Sequence, residues 1–223
     1  MGRSAKTTRQ LSSLGMIHDS SPWKAELARD ADLIERWAAK PVMSERRSFL
    51  FERKVFLAAY ALRKLDEAAR VSTDLLMQSI GVTQFAPSRA GFSAGTSHRW
   101  DDYFDLEGPV GHSLPCRRLI NVLIHSLVFV EVLNDDDTIG GFMVTSDRES
   151  ERGLYQVQLP DFVKVMRAAA ADYPTHMHRV FDPGTEKWII WAGYGVPPAA
   201  MRKRFEQAHA NLLRMIEEEH PTG

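Results

Sequence analysis

The feature that most constrains this chain is a change of apolar periodicity within residues 113–159. Helical spacing comes first, on one face made of Cys116, Leu119, Ile120, Leu123, Ile124 and Leu127. From Val128 the chain alternates in the manner of a strand rich in β-branched residues. Polar turn segments at 134–137 and 146–153 separate two further alternating runs, 139–145 and 154–159. The stretch therefore predicts one helix followed by a three-stranded antiparallel meander.

The alternation also predicts which side of the meander is buried. Tyr155 and Val157 fall on one side of the third strand, and Gln156 and Gln158 fall on the other. This pattern indicates a sheet with one buried face and one exposed face. In the first strand, the buried residues are expected to be Val128, Val130 and Val132.

Helical spacing also dominates the segment before this stretch. Residues 22–40 predict one helix, which Pro41 ends. A second helix beginning at Ser44 carries a narrow seam of coiled-coil spacing, comprising Phe51, Val55, Ala58, Leu62, Leu65, Ala69 and Leu76, with Ser72 as its one polar position. An unbroken helix over 44–80 would be about 55 Å long. We therefore expect it either to break near Ser72 and Thr73 or to project beyond the globule.

The predicted fold class is α+β. An N-terminal helical segment with one long helix precedes a short antiparallel sheet of about five strands, including a hairpin over 175–193, and helices cover this sheet. Residues 1–20 are expected to be a disordered basic tail, and residues 21–223 a single domain. Within that domain, a helical hairpin spans about 22–80, and a helix-plus-sheet part spans about 112–219. Residues 81–111 lack periodicity and predict a long loop.

The composition limits the cellular compartment and the classes of partner that are expected for this chain. The single cysteine excludes an internal disulfide and favours a reducing, cytoplasmic compartment. No apolar run approaches the ~18 residues of a membrane span, so no membrane association is expected. The net charge of −1 gives no general affinity for polyanions. A basic patch near the start of the long helix is interrupted by acidic residues, so nucleic acid is not the expected partner; the patch comprises Arg46, Arg47, Arg53 and Lys54. No motif calls for a cofactor.

Cys116 is the first candidate catalytic residue. It lies at a helix start beside Arg117 and Arg118, where the helix dipole and the cations would lower a thiol pKa. A cysteine hydrolase would pair this thiolate with a histidine, and His176 or His178 on a later strand could supply it. The alternative is a buried structural cysteine, because Cys116 falls on the apolar face of its helix.

His176 and His178 form a second candidate site. Residues two apart on a strand share a face, so both imidazoles could bind one metal ion. A stable site needs a third ligand, and Asp172, Asp182 and His125 are the candidates. The alternative is a pair of polar side chains on the exposed face of a strand.

A polar line along the predicted helix of the 113–159 stretch forms the third candidate. Arg117, Asn121 and His125 follow one another at i, i+4 spacing. His125 could act as an acid–base group or as a structural histidine with polar partners. A solvated helix face is the alternative reading of the same pattern.

The long helix supports the leading functional hypothesis. Its seam is longer than the first helix can cover, so the segment around Leu62, Leu65 and Ala69 is expected either to cross the core or to contact another molecule. We therefore expect protein–protein interaction or homodimer formation through this helix, rather than catalysis. A small cysteine- or metal-dependent hydrolase is the alternative, and a nucleic-acid accessory protein is the third hypothesis.

Overall fold

The structure is a computed structural model that describes residues 17, 19–41 and 44–219, with only the backbone of 217–219. The prediction of a disordered tail at 1–20 therefore lies largely outside the described residues. The elements are, in order, α1 Ser21–Ala38, α2 Glu45–Glu67, α3 Thr73–Met77, β1 Ser79–Phe85, a 3-10 helix Ser97–Tyr103, β2 Val110–Pro115, α4 Cys116–Ile124, β3 Ser126–Leu133, β4 Ile139–Ser146, α5 Asp147–Ser150, β5 Leu154–Gln158, α6 Leu159–Ala171, β6 His176–Asp182, β7 Lys187–Gly193 and α7 Ala199–Glu219. The predicted α+β class is confirmed.

A five-stranded antiparallel sheet with the order β2-β1-β5-β4-β3 forms the centre of the molecule. Its β3–β4–β5 part is the meander that the alternation predicted. The other two strands come from 79–115, where the sequence had predicted the end of a helix and a loop. Gly81 and Gly111 interrupt the apolar pattern of these strands, and Ser113 pairs with Gly81 instead of capping α4. The helix consequently begins at Cys116, with Pro115 as its N-cap.

Helices cover one face of this sheet. Phe142, Val144, Tyr155 and Val157 point into the helical layer, and each is fully buried. Helices α4, α6 and α2 supply the facing residues, among them Leu119, Leu123, Phe162, Met166 and Leu62. An aromatic row links the sheet to the helices, with ring centroids 5.2 Å apart for Phe129–Phe142 and 5.5 Å apart for Phe142–Phe162. Most of the buried apolar surface therefore lies between one sheet face and these helices.

The opposite face of the sheet is covered by the loop between β1 and β2. Tyr103 and Phe104 of this loop pack on Val128 and Leu154. The expectation that three valines of β3 are buried was right for Val128, but Val130 and Val132 are only half-buried. These valines face the loop, because the alternate positions of the strand turn towards the helices. β3 lies at the sheet edge, where this loop covers it incompletely.

The long helix, α2, is shorter than the length that its apolar seam had predicted. α2 ends at Glu67, and Ala69 adopts a left-handed conformation with φ of 54°. The Arg70 N–H donates to the Leu65 carbonyl at 2.7 Å, a bond characteristic of a helix C-terminus. No glycine marks this stop, so the pattern alone placed the break later. The seam residues of α2 are all buried within the chain, namely Phe51, Val55, Ala58, Leu62 and Leu65. The seam is thus intramolecular core.

The last three elements form a separate unit. The β6–β7 hairpin is a two-stranded sheet of its own, and α7 packs mainly on β6. Trp191 is the largest buried side chain of this unit. Hydrogen bonds connect it to the rest of the chain at two places. The Tyr194 hydroxyl donates to the Asp172 carboxylate at 2.7 Å and accepts from the Tyr173 N–H at 3.0 Å, and the Ala192 N–H donates to Thr73 Oγ1 at 3.1 Å. None of the described helices is both long and apolar enough to cross a membrane.

Candidate functional site

Cys116 occupies the first position of α4 and is buried. Its N–H donates to the Gln78 carbonyl at 2.8 Å. Burial raises the pKa of the Cys116 thiol, and it outweighs the opposing effect of a backbone hydrogen bond. The neighbouring guanidiniums do not reach the thiol, because Arg117 pairs with Asp66 and Arg118 pairs with Glu149. This environment disfavours the thiolate that a nucleophilic cysteine requires.

His176 and His178 lie on β6, in the other sheet, and both are exposed. The imidazole of His178 packs against Trp191 and Phe205, with ring centroids 5.7 Å and 5.9 Å away. The cavity beside Cys116 is lined by no histidine. The structure therefore places the cysteine and the two histidines in different environments.

The three residues considered as a third metal ligand have other partners. The Asp172 carboxylate accepts from the Tyr194 hydroxyl, and Asp182 accepts from Thr185 Oγ1 at 2.9 Å. His125 lies at the end of α4, with its Nε2 3.4 Å from a terminal nitrogen of Arg63. Within the part of the chain that the structure describes, no three His, Cys, Asp or Glu side chains form a group that could hold a metal ion.

The polar line of α4 borders a cleft of about 930 Å³. Arg117, Asn121 and His125 form one wall, and Arg63 of α2 stands beside His125. Residues of the α5 turn also line this cleft. These residues belong to three elements, so the sequence pattern could indicate the wall but not the cleft.

A partly buried ion pair lines this cleft. Glu149 accepts two hydrogen bonds from Arg118 Nε, at 3.1 and 3.2 Å, and one from the Tyr155 hydroxyl at 3.1 Å. Burial acts to raise the pKa of Glu149, but the hydrogen bond and charge of Arg118 outweigh it and hold that pKa below its usual value. Burial raises the pKa of Tyr155 to about 12. The carboxylate is thus fully engaged, which indicates a structural role.

Sequence reasoning missed Glu149, although a local signal was present. Ser146 and Glu149 have the spacing of a capping box, in which the first side chain accepts from the backbone of the second. In the structure, Ser146 Oγ accepts from the Glu149 N–H at 3.3 Å. This contact begins the one-turn helix α5 and directs the carboxylate towards Arg118.

A second surface of interest lies on α2, opposite its buried seam. We call it the outer face of α2, made of Glu45, Phe49, Arg53, Phe56, Leu57, Tyr60 and Lys64. Phe49, Leu57 and Tyr60 are 59%, 44% and 47% exposed. Phe56 is partly covered by Phe129 of β3, with ring centroids 5.1 Å apart. Helix α2 is therefore apolar on two opposite faces, of which only the seam was recognised from the sequence.

The basic patch at the start of α2 is largely used within the chain. Arg47 donates to the Pro41 and Lys40 carbonyls, at 2.5 and 2.9 Å, and so caps the end of α1. Lys54 pairs with Asp30 at 2.5 Å. Two of the four cations thus have structural partners, which weakens the case for a nucleic-acid surface here.

Comparison with known proteins identifies no matching family model, no similar curated protein and no similar solved structure. A function is therefore inferred from the geometry of the described residues.

Proposed function

We propose that this protein acts by protein–protein interaction, as a homodimer formed through the outer face of α2. The observation that supports the proposal is the second apolar face of this helix. Large apolar side chains that are exposed singly are common, but a contiguous group on one helix face is characteristic of an interaction surface. Phe49, Leu57 and Tyr60 lie within three turns of one another and adjoin Phe56.

The outer face is complementary to itself when two copies pack in antiparallel orientation. A two-fold axis midway along the stretch places Phe49 opposite Tyr60 of the second copy. The same axis places Glu45 opposite Lys64 of the second copy. The outer face thus has Glu45 at one end and Lys64, which also pairs with Glu67, at the other, with Arg53 among the apolar side chains between them. Opposite charges at the two ends favour an antiparallel pair.

Light scattering and sedimentation across a wide range of protein concentration test this proposal. We expect a concentration-dependent dimer that Tyr60→Glu converts into a folded monomer, because the change buries a charge in the interface. Val110→Glu on β2 is the matched control, because Val110 is 61% exposed and lies on a different element. A protein that stays monomeric at every concentration would refute the proposal.

A charge exchange tests the antiparallel orientation. Glu45→Lys and Lys64→Glu should each weaken the dimer, since each places two like charges opposite each other. The double variant should restore the affinity, because it exchanges the two ends. Failure of the double variant to recover would exclude this orientation even if a dimer exists.

A further inference from the structure

Arg117 has hydrogen-bond donors that no described residue accepts fully. One terminal nitrogen pairs with Asp66 at 2.6 Å, while the Nε atom is buried and has no partner among the described residues. The other terminal nitrogen meets only the sulfur of Met77, at 3.9 Å. Buried polar atoms are nearly always hydrogen-bonded to protein or to another molecule. The Nε atom is too enclosed for a ligand to reach, but the side chain is 41% exposed, so the second terminal nitrogen is open to an acceptor that is not part of the described chain.

A second guanidinium lines the same cleft. Arg148 belongs to the α5 turn, is exposed, and forms no ion pair with any described residue. Asn121, on the same wall as Arg117, presents an exposed amide. The free donors thus come from two elements, α4 and α5, that line one cavity.

The acidic groups near the cleft are mostly engaged. Glu149 is held by Arg118 and Arg152, and Glu67 is held by Arg63 and Lys64. Asp147, at the α5 turn, is the one lining carboxylate that no described cation pairs with. The unsatisfied hydrogen-bonding capacity of the cleft consequently consists mainly of donors, which favours an anion.

The remaining wall of the cleft is apolar. Met77, Pro115, Val122 and Ile124 line it beside the polar side chains. A cavity with apolar walls and a few convergent polar groups is characteristic of small-molecule sites. An inorganic ion would leave this wall uncovered.

We infer that the α4 cleft binds a small organic anion, a carboxylate or phosphate attached to an apolar group. Arg117 and Arg148 hold the oxyanion, since guanidinium forks match carboxylate and phosphate geometry. Met77 and Ile124 contact the apolar part. This site is separate from the outer face of α2, so its failure would leave the proposed dimer untouched.

Titration with simple probes, followed by NMR of the full chain, tests the inference. Benzoate and phenyl phosphate carry the two oxyanions on the same ring, and benzyl alcohol is a neutral counterpart. We expect saturable shifts of the α4 amides with at least one of the anions, and the stronger of the two identifies the preferred oxyanion. Equal binding of benzyl alcohol, or no saturable shift with either anion, would overturn the inference.

Two arginine variants locate the site. Arg117→Gln and Arg148→Gln should each lower the affinity for the more tightly bound anion by about tenfold, the effect of losing a charge-assisted hydrogen bond. Arg148 pairs with none of the residues that the structure describes, so its replacement should leave the fold intact even if Arg117→Gln destabilises it. Arg89→Gln is the control, because Arg89 stacks on Tyr103 outside this cleft. Unchanged affinity in Arg148→Gln, or an equal loss in Arg89→Gln, would also contradict the inference.

Discussion

The two sheets of this protein are both antiparallel, but they are covered to different extents. In the five-stranded sheet, Phe142, Val144 and Tyr155 are fully buried, and a loop covers part of the opposite face. In the two-stranded sheet, the first four residues of β6 are exposed. Ala208 is the one described side chain of α7 that is fully buried. A two-stranded sheet is at best marginally stable alone. The hairpin therefore depends on its attachment to the rest of the chain.

That attachment is centred on Asp172, just after α6. Its carboxylate accepts from the Ser72 N–H and from the Tyr194 hydroxyl, and its carbonyl accepts from the ammonium of Lys24. Lys24 is 1% exposed, and burial lowers the pKa of its ammonium although the charge of Asp172 opposes this shift. The ammonium also lies 3.7 Å from the ring centroid of Tyr173. Asp172 thus links the hairpin unit to α1 and to the segment before α3.

The largest expected effect belongs to the well-covered sheet. Phe142→Ala should lower the free energy of unfolding by about 3–5 kcal/mol, because it leaves a cavity between β4 and α6. Chemical denaturation followed by circular dichroism measures the change. Met177→Ala on β6 is the control, since Met177 is 54% exposed and its truncation should cost less than about 0.5 kcal/mol. Equal losses in the two variants would break the comparison.

Asp172→Ala tests the attachment of the hairpin. The change leaves the Ser72 N–H and the Tyr194 hydroxyl without an acceptor, so the cost should be about 1–3 kcal/mol. We expect amide hydrogen exchange to accelerate first in β6, β7 and α7, while the five-stranded sheet keeps its protection. Tyr194→Phe removes the hydroxyl that donates to Asp172 and accepts from the Tyr173 N–H, and it should give a loss in the same region while the Ser72 bond to Asp172 is kept. Uniform acceleration across both sheets would show that they unfold as one unit.

Two carboxyl groups with opposite pKa shifts sharpen the comparison. In the hairpin sheet, hydrogen bonds from Asn211 and Thr185 lower the pKa of Asp182. The Asp182 carboxylate therefore stabilises the fold at pH values above its unfolded-state pKa. This stabilisation is lost as pH falls through its folded-state pKa. Asp182→Asn should be less stable than the native protein at pH 7, and the difference should shrink in acid. Parallel pH profiles for the two proteins would contradict this assignment.

Glu131 on β3 should show the opposite sign. Burial raises its pKa, although a hydrogen bond from Ser48 acts against the shift, and its Oε1 atom is buried without a described partner. The destabilisation caused by the ionised Glu131 carboxylate is absent below its unfolded-state pKa, and it grows as pH rises through its folded-state pKa. Glu131→Gln should add up to about 1 kcal/mol at pH 7 and nothing near pH 4, as measured by urea denaturation. Glu107→Gln, at an exposed position, is the control and should change little.

The sequence predicted the parts of the fold that depend on local periodicity. The helix and three strands of 113–159 are present because their spacing repeats within a few residues of each position. β1 and β2 were missed because Gly81 and Gly111 interrupt the pattern, and because the pairing that stabilises them is non-local. The break after α2 was expected near Ser72 and Thr73, a few residues late, since Ala69 takes a conformation that usually belongs to glycine.

The sequence by itself determined the α+β class, the meander, the seam of α2 and the polar line of α4. Only the tertiary structure decided that the seam is core, that Cys116 is buried, and that Arg117 and Arg148 border one cleft. Periodicity arises from neighbours a few residues apart along the chain. Burial and electrostatics depend on residues far apart in the sequence, such as Arg118 and Glu149, and the packing of helices on the sheet brings these together.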